Sequence, residues 1–319
     1  MNYKEFVGFK NAMGIKAFLE KEPLHPFHIH ENTLELVCGI NGSLDLADGA
    51  FDCTIQAGDI YIHDPLEPHC HVSHPGAMLL TVQIDRGCYK QYFPDIEDVY
   101  FICTPIGEKT RNAGHFIHMR FLMAKIYRTY LHDPYDGELE RLGRQLLELA
   151  YRDFQYYMYR QNRQGRYEIV KQPIPLREGS RYRRIYDVVE KIKSHYKEKL
   201  TLAEVAAKAF VSQAHLSKGI KEATGLTFSQ HISLLRCEEA ERLLCHTNKT
   251  MDEIASEVGF ANRSHLTAHF KKWYNKSPSK FRREIEQFNA RIYETRKMTD
   301  RDRQTAARVI ELFLDQTVI

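Results

Sequence analysis

A repeat inside the last third of the chain limits what it can fold into. Thr201-Leu202-Ala203-Glu204-Val205-Ala206 recurs as Thr250-Met251-Asp252-Glu253-Ile254-Ala255, 49 residues later. His215-Leu216-Ser217 recurs as His265-Leu266-Thr267, 50 residues later, and Ile220-Lys221 matches Phe270-Lys271 at that offset. One residue is therefore inserted near Ala261. Each copy reads as helix, turn, helix. Thr201 and Thr250 stand where N-caps belong. Ala206 and Ala255 are small enough to let a second helix cross closely. The turns fall at Ala209–Val211 and at Gly259-Phe260. Ser212 and Asn262 cap the second helices, Gln213–Ala223 and Arg263–Tyr274, which Gly225 and Asn275 end. Leu216, Ile220, Leu266 and Phe270 are expected to face inward. Thr227–Leu244 reads as a connecting helix with Ile232, Leu235, Ala240 and Leu243 buried.

Charge divides the chain in the same place. Residues 1–100 carry 6 Lys/Arg against 15 Asp/Glu, net −9, whereas residues 181–290 carry 20 against 13, net +7. The net charge of +3 for all 319 residues hides this split. A basic back part attracts a polyanion and an acidic front part does not. A doubled helix-turn-helix on a basic segment points to duplex DNA, with the second helix of each unit led into the major groove by its first turn.

Residues 185–286 resemble the DNA-binding domain of AraC/XylS transcription regulators. The likeness rests on Leu202-Ala203-Glu204-Val205-Ala206, Ser212-Gln213-Ala214-His215-Leu216-Ser217 and Lys221-Glu222-Ala223-Thr224-Gly225. It continues through Glu253-Ile254-Ala255, Val258-Gly259-Phe260, Phe270-Lys271-Lys272 and Ser277-Pro278. By position it implies base reading by Ala214, Ser217 and Lys218 in the first unit and by Arg263, Ser264, Thr267 and Ala268 in the second. Arg263 and Lys218 have the chemistry to reach guanine. Lys221, Lys271, Lys272 and Lys276 read better as phosphate contacts. Gly219 stands inside the first recognition helix, where the family has an apolar residue, and Ala214 and Ala268 offer only methyl groups. Readout therefore leans on the second unit, on Lys218 and on His215.

The front part reads as strands. Glu35–Ile40, Ser43–Leu46, Phe51–Ile55, Asp59–His63 and Met78–Ile84 are short runs separated by Asn41-Gly42, Asp48-Gly49 and further Gly, Pro and Asp. A sandwich or small barrel follows. His28-Ile29-His30, Glu35, Gly42 and then Gly58-Asp59, Pro65 and His69 resemble the two cupin motifs, with Ser73 where Asn is common. The resemblance implies a cupin-like barrel in which His28, His30, Glu35 and His69 converge, Glu35 and His69 coming from strands beside the His28–His30 strand. Three imidazoles and a carboxylate suit Zn, Ni, Fe or Mn. The same four residues equally suit contact with a polar effector. His63, His71 and His74 read as strand or loop residues rather than ligands.

Beyond Tyr92, Phe116–Leu131 and Glu138–Tyr159 read as an antiparallel helix pair. Leu139, Leu142, Leu146 and Leu149 form a row that suits a dimer seam or packing on the strands. Gln161–Ser180 reads as a linker. Thr299 with Asp302 caps a last amphipathic helix, expected to pack on the DNA-binding domain or on a partner chain. The chain thus reads as multi-domain α+β. A cupin-like ligand-sensing barrel (1–95) precedes a helical dimerisation segment (96–160) and a linker (161–180). An all-α double helix-turn-helix domain (181–290) and a C-terminal helix (291–319) complete it.

Seven cysteines at odd count and without a CxxC pair suit reduced thiols. Met1–Glu22 lacks the apolar core of a signal peptide, and no apolar run is long enough for a membrane span. A cytoplasmic location is expected. The function that follows is a ligand-responsive, non-enzymatic regulator acting as a homodimer on double-stranded DNA. Its other partners would be a small polar effector, such as a sugar, and RNA polymerase. The alternative is a metal-dependent cupin enzyme with an accessory helical domain.

Overall fold

Apolar runs broken by turn residues fold as strands in the front part of the chain. The computed structural model describes residues 7–48, 51–94, 96, 99–101, 103, 111–154, 158–161, 167–170, 188–189, 191–192, 194–289 and 297–316. Two units emerge, residues 3–155 with 288–319, and residues 156–287.

In the first unit the strands are β1 (Ile15–Lys21), β2 (Leu24–His28), β3 (Thr33–Asn41), β4 (Ser43–Asp48), β5 (Phe51–Gln56), β6 (Ile60–His63), β7 (His69–Ser73) and β8 (Met78–Asp85). They pair antiparallel into two four-stranded sheets, β1-β8-β3-β6 and β2-β7-β4-β5. Among the described residues these two sheets do not close on each other into the expected barrel. β1 carries no simple apolar alternation in the sequence, because Lys and Glu interrupt it, and the strand expected to bring His69 is β7.

Sheet β1-β8-β3-β6 is covered on both faces, which is why β3 and β8 read as nearly continuous apolar runs. Leu34, Leu36, Cys38 and Ile40 of β3 point to one side. They join a core with helices α1 (Gly114–His132) and α2 (Glu138–Asp153). Val37 and Leu79 point to the other side and pack with Leu44, Leu46 and Ile55 of the second sheet. Glu35, between Leu34 and Leu36, therefore also faces the second sheet. The leucine row of α2 is spent on the core: Leu139, Leu142, Leu146 and Leu149 are all buried within the unit.

The last helix departs from expectation. In α9 (Asp300–Asp315), Ala306, Ile310 and Phe313 form one buried face, and they join the core of the first unit rather than that of the second. Phe313 lies under the guanidinium of Arg120 of α1, 5.6 Å from its ring centre, and Lys21 of β1 bridges to Asp302 at 2.6 Å. The sequence shows that this helix has an apolar face but carries nothing that says which core receives it.

In the second unit, Tyr167–Val170 (β10) pairs with Met158–Gln161 (β9), so part of the stretch read as linker is strand. The rest of 161–180 lies outside the described residues. The repeat follows as α3 (Leu202–Lys208), α4 (Gln213–Thr224), α5 (Phe228–His246), α6 (Met251–Glu257), α7 (Arg263–Tyr274) and α8 (Pro278–Asn289). Among the described residues no helix is long and apolar enough to cross a membrane. All seven cysteines are free.

Candidate functional site

The two helix-turn-helix units are built by the same local bonds. Thr201 Oγ1 accepts from the Glu204 amide at 3.2 Å while the Glu204 carboxylate accepts from the Thr201 amide at 3.1 Å. Thr250 and Glu253 repeat this reciprocal cap at 3.2 and 2.7 Å. Ser212 Oγ and Asn262 Oδ1 accept from the His215 and His265 amides at 3.2 and 3.0 Å, which starts α4 and α7. Gly225 and Asn275 end them in the left-handed region. Ala206 and Ala255 are buried at the crossings, and Leu216, Ile220, Leu266 and Phe270 are fully buried.

That inner face leaves the outer face to solvent. Ala214, Lys218 and Lys221 are exposed on α4, with His215 and Ser217 half-buried. Arg263, Ser264, Ala268, Lys271 and Lys272 are exposed on α7, with Thr267 half-buried. Lys276, beyond α7, is half-buried and pairs with Glu284 at 3.1 Å. Lys218 also lies 3.7 Å from Glu222, an exposed helix pair of little energy that does not tie it down.

Helix α5 is buried around more of its circumference than one apolar face predicts, because it packs against both units. Leu235 and Leu243 are only half-buried, while His231, Ser233 and Glu241 are buried. Ser233 Oγ meets His269 Nδ1 at 2.7 Å and accepts from Trp273 Nε1 at 3.2 Å. Tyr274 Oη donates to Glu241 at 2.6 Å, and burial pushes the Tyr274 phenol well above its ordinary range. Arg236 donates to the Tyr196 and Glu198 carbonyls, both at 2.8 Å. These polar ties hold α7 and the start of the domain on α5. No sequence motif marked them, since each joins residues 33 to 40 positions apart.

The first unit holds a buried histidine cluster between its sheets. His28 on β2 pairs in register with His69 on β7. His30 follows just beyond the strand and turns to the same side. Glu35 comes from β3, in the facing sheet rather than beside β2, so the carboxylate approaches the imidazoles from across the interior. The four residues of the cupin resemblance thus do converge, with donor atoms within 4.8 Å of one another. Residues read as bystanders join them: Glu35, His63, His69 and His71 form a second group of the same compactness. His69-Cys70-His71 repeats the spacing of His28-Ile29-His30, a signal that could have found His71. Ser73 serves locally, donating to the Pro23 carbonyl at 2.7 Å, and His74 pairs with Asp45 at the surface.

Hydrogen bonds orient the cluster. His28 Nδ1 meets the Pro26 carbonyl at 2.8 Å and His69 Nδ1 the Glu67 carbonyl at 2.9 Å, so both rings carry that proton and turn Nε2 inward. Glu35 Oε2 accepts from His30 Nε2 at 3.2 Å and from Gln83 Nε2 at 2.6 Å. Burial alone would push the Glu35 carboxyl up. Its contacts with His30 and His69 outweigh that and hold it well below the usual carboxylate range. Burial drives His28, His63 and His71 well below the ordinary imidazole value, so these rings are neutral near pH 7. Imidazole nitrogens and a carboxylate are the donor set a divalent transition ion takes, and both groups offer it.

Similarity to known proteins concentrates where the repeat is. Residues 205–284 match a helix-turn-helix domain family. The chain is 23% identical over 251 residues to an uncharacterized HTH-type transcriptional regulator of Staphylococcus aureus (strain COL), covering 79% of this chain and 31% of that protein. It is 33% identical over 95 residues to the Msm operon regulatory protein of Streptococcus mutans, covering 30% of this chain and 34% of that one. The match thus spans about a third of the length of these two curated relatives. The crystal structure of ToxT from Vibrio cholerae O395 aligns over 85% of this chain and 98% of its own at 13% identity, with a TM-score of 0.43, too low to establish a common fold. The matched segment, residues 205–284, is the one that holds α4 to α7.

Proposed function

We propose that the chain is a ligand-responsive, DNA-binding transcription regulator of the AraC/XylS type. The observation that carries this reading is the pair of capped helices α4 and α7, equivalent in the repeat, each with a buried inner face and an exposed first turn. Arg263, Ser264, Thr267 and Ala268, with Ala214, His215, Ser217 and Lys218, read base edges in this proposal. Lys221 and Lys271 contact phosphates. The match to a helix-turn-helix family and the likeness to HTH-type transcriptional regulators support it.

The first unit is the sensor in this reading, a cupin-like domain whose His28, His30, Glu35 and His69 bind a small polar effector such as a sugar. Effector binding must favour one arrangement of the protein over another to act as a switch. Homodimers on duplex DNA, contact with RNA polymerase and a cytoplasmic location complete the proposal. The alternative, a metal-dependent cupin enzyme, would make the doubled helix-turn-helix an accessory.

The test is capture of genomic duplex DNA by the purified full-length chain, followed by anisotropy titration of the enriched sequence at several salt concentrations. Selective binding that weakens steeply with salt is expected. Binding without sequence preference, or preference unchanged when Arg263→Ala and Lys218→Ala are combined, would sink the assignment.

A further inference from the structure

The two oxygens of Glu35 have different surroundings. Oε2 is occupied by His30 and Gln83. Oε1 faces His69 Nε2 at 3.6 Å and His71 Nε2 at 3.9 Å, and His71 Nε2 lies 3.1 Å from His63 Nε2. His69 Nε2 is fully buried with no hydrogen-bond partner, and so are the Nδ1 atoms of His63 and His71. His69 is already oriented, its Nδ1 proton committed to the Glu67 carbonyl. One donor atom from each of Glu35, His63, His69 and His71 thus lies within 4.8 Å of the others between the sheets.

A first-row ion with bonds of about 2.0–2.1 Å at tetrahedral angles sets its donors about 3.4 Å apart. The contacts of 3.1, 3.6 and 3.9 Å straddle that spacing. We propose that Glu35, His63, His69 and His71 bind one divalent transition-metal ion of the zinc class, displaced from the His28–His30 pair. His30 is then a positioning residue that holds Glu35 by its second oxygen. His28 is not a ligand. Glu35 and His63 come from β3 and β6 of one sheet, His69 and His71 from β7 of the other, so the ion cross-links the two sheets. A second divalent ion sharing this carboxylate would concentrate positive charge in a buried space, which desolvation opposes.

The inference goes beyond the effector reading and is independent of the DNA reading, because metal is counted on the protein with no DNA present. Full-length protein stripped with chelator is loaded with Zn(II), gel-filtered and analysed for metal. One ion per chain is expected, and Co(II) in its place should give the intense visible absorption of a four-coordinate site. His63→Gln and His71→Gln should each weaken binding more than about 100-fold, beyond the loss of an outer hydrogen-bond partner, whereas His28→Gln should cost less than about tenfold. His71→Cys keeps a donor at that position, and its Co(II) form should gain a thiolate-to-metal charge-transfer band. Retention of no ion by the wild-type chain overturns the proposal. So does loss of the ion in His28→Gln with retention in His71→Gln, or a Co(II)-loaded His71→Cys protein without the new band.

Discussion

Phe210 and Gly259 stand at the same turn position in the two helix-turn-helix units, and both hold a positive φ, 55° and 88°. A Cβ on Gly259 would meet the Lys197 carbonyl oxygen at 2.4 Å, whereas the Phe210 side chain is 93% exposed. An L-residue in the left-handed region costs about 1–2 kcal/mol. Phe210→Gly is therefore expected to stabilise the second unit by about 1 kcal/mol, after the extra freedom of unfolded glycine offsets part of the gain. Gly259→Ala should destabilise it by more than that, since the clash adds to the strain. The single tryptophan, Trp273 on α7, gives a fluorescence signal for denaturant titration of this unit. An unchanged or lower midpoint for Phe210→Gly would contradict the argument.

Arg263 and Lys271 lie on the same exposed face of α7 yet should behave differently on DNA. Arg263→Ala is expected to cost about 1–3 kcal/mol against the preferred sequence and to relax preference at one position. Lys271→Ala should weaken all sequences alike and reduce the salt slope by about one. Anisotropy on matched and scrambled duplexes separates the two. Equal losses on both duplexes for Arg263→Ala would move that residue to the phosphate-contacting class.

Ile310 ties α9 into the core of the first unit. Ile310→Ala should cost about 2–5 kcal/mol through the cavity it leaves. The loss should appear as faster hydrogen exchange in α1 and β3, the elements α9 packs on. Faster exchange confined to α9 itself would show that the helix adds nothing to that core.

Asp302 closes the N-terminal cap of α9 and meets Lys21. The Lys21 ammonium and the Thr299 hydroxyl and amide pull its carboxyl from the ordinary 3.8 down to about 2. A carboxylate with a depressed folded-state value contributes fully above its unfolded value, and the contribution drains away as pH falls through about 2. Asp302→Asn should therefore lower the melting temperature at pH 6 and flatten its fall between pH 4 and pH 2, by about the amount this one group contributes. Parallel melting curves for the two proteins across that range would remove the role given to the ion pair.

Much of the second unit was legible because its signals are local. A cap reads three residues ahead, a left-handed stop reads one residue on, and an inward face repeats within a helical turn. The buried face of helix α5 is not legible, for the opposite reason. It touches a unit on each side, so Ser233, Glu241 and Arg236 are set by partners far along the chain. In the first unit β3 is legible, but its two-sided burial hides which residues face which core. His63 and His71 each look like ordinary strand residues until a second sheet is laid over them.

The sequence by itself determined the doubled helix-turn-helix, the capping residues Thr201, Thr250, Ser212 and Asn262, and the residues that α4 and α7 turn outward. Periodicity and capping are short-range properties, and they survive in the one-dimensional string. Only the tertiary structure decided which core takes α9, that α2 spends its leucines inside the unit, and that Glu35 meets five imidazoles across two sheets. Those outcomes depend on which surfaces stack, and stacking is chosen by the summed burial of distant residues rather than by any one stretch of chain.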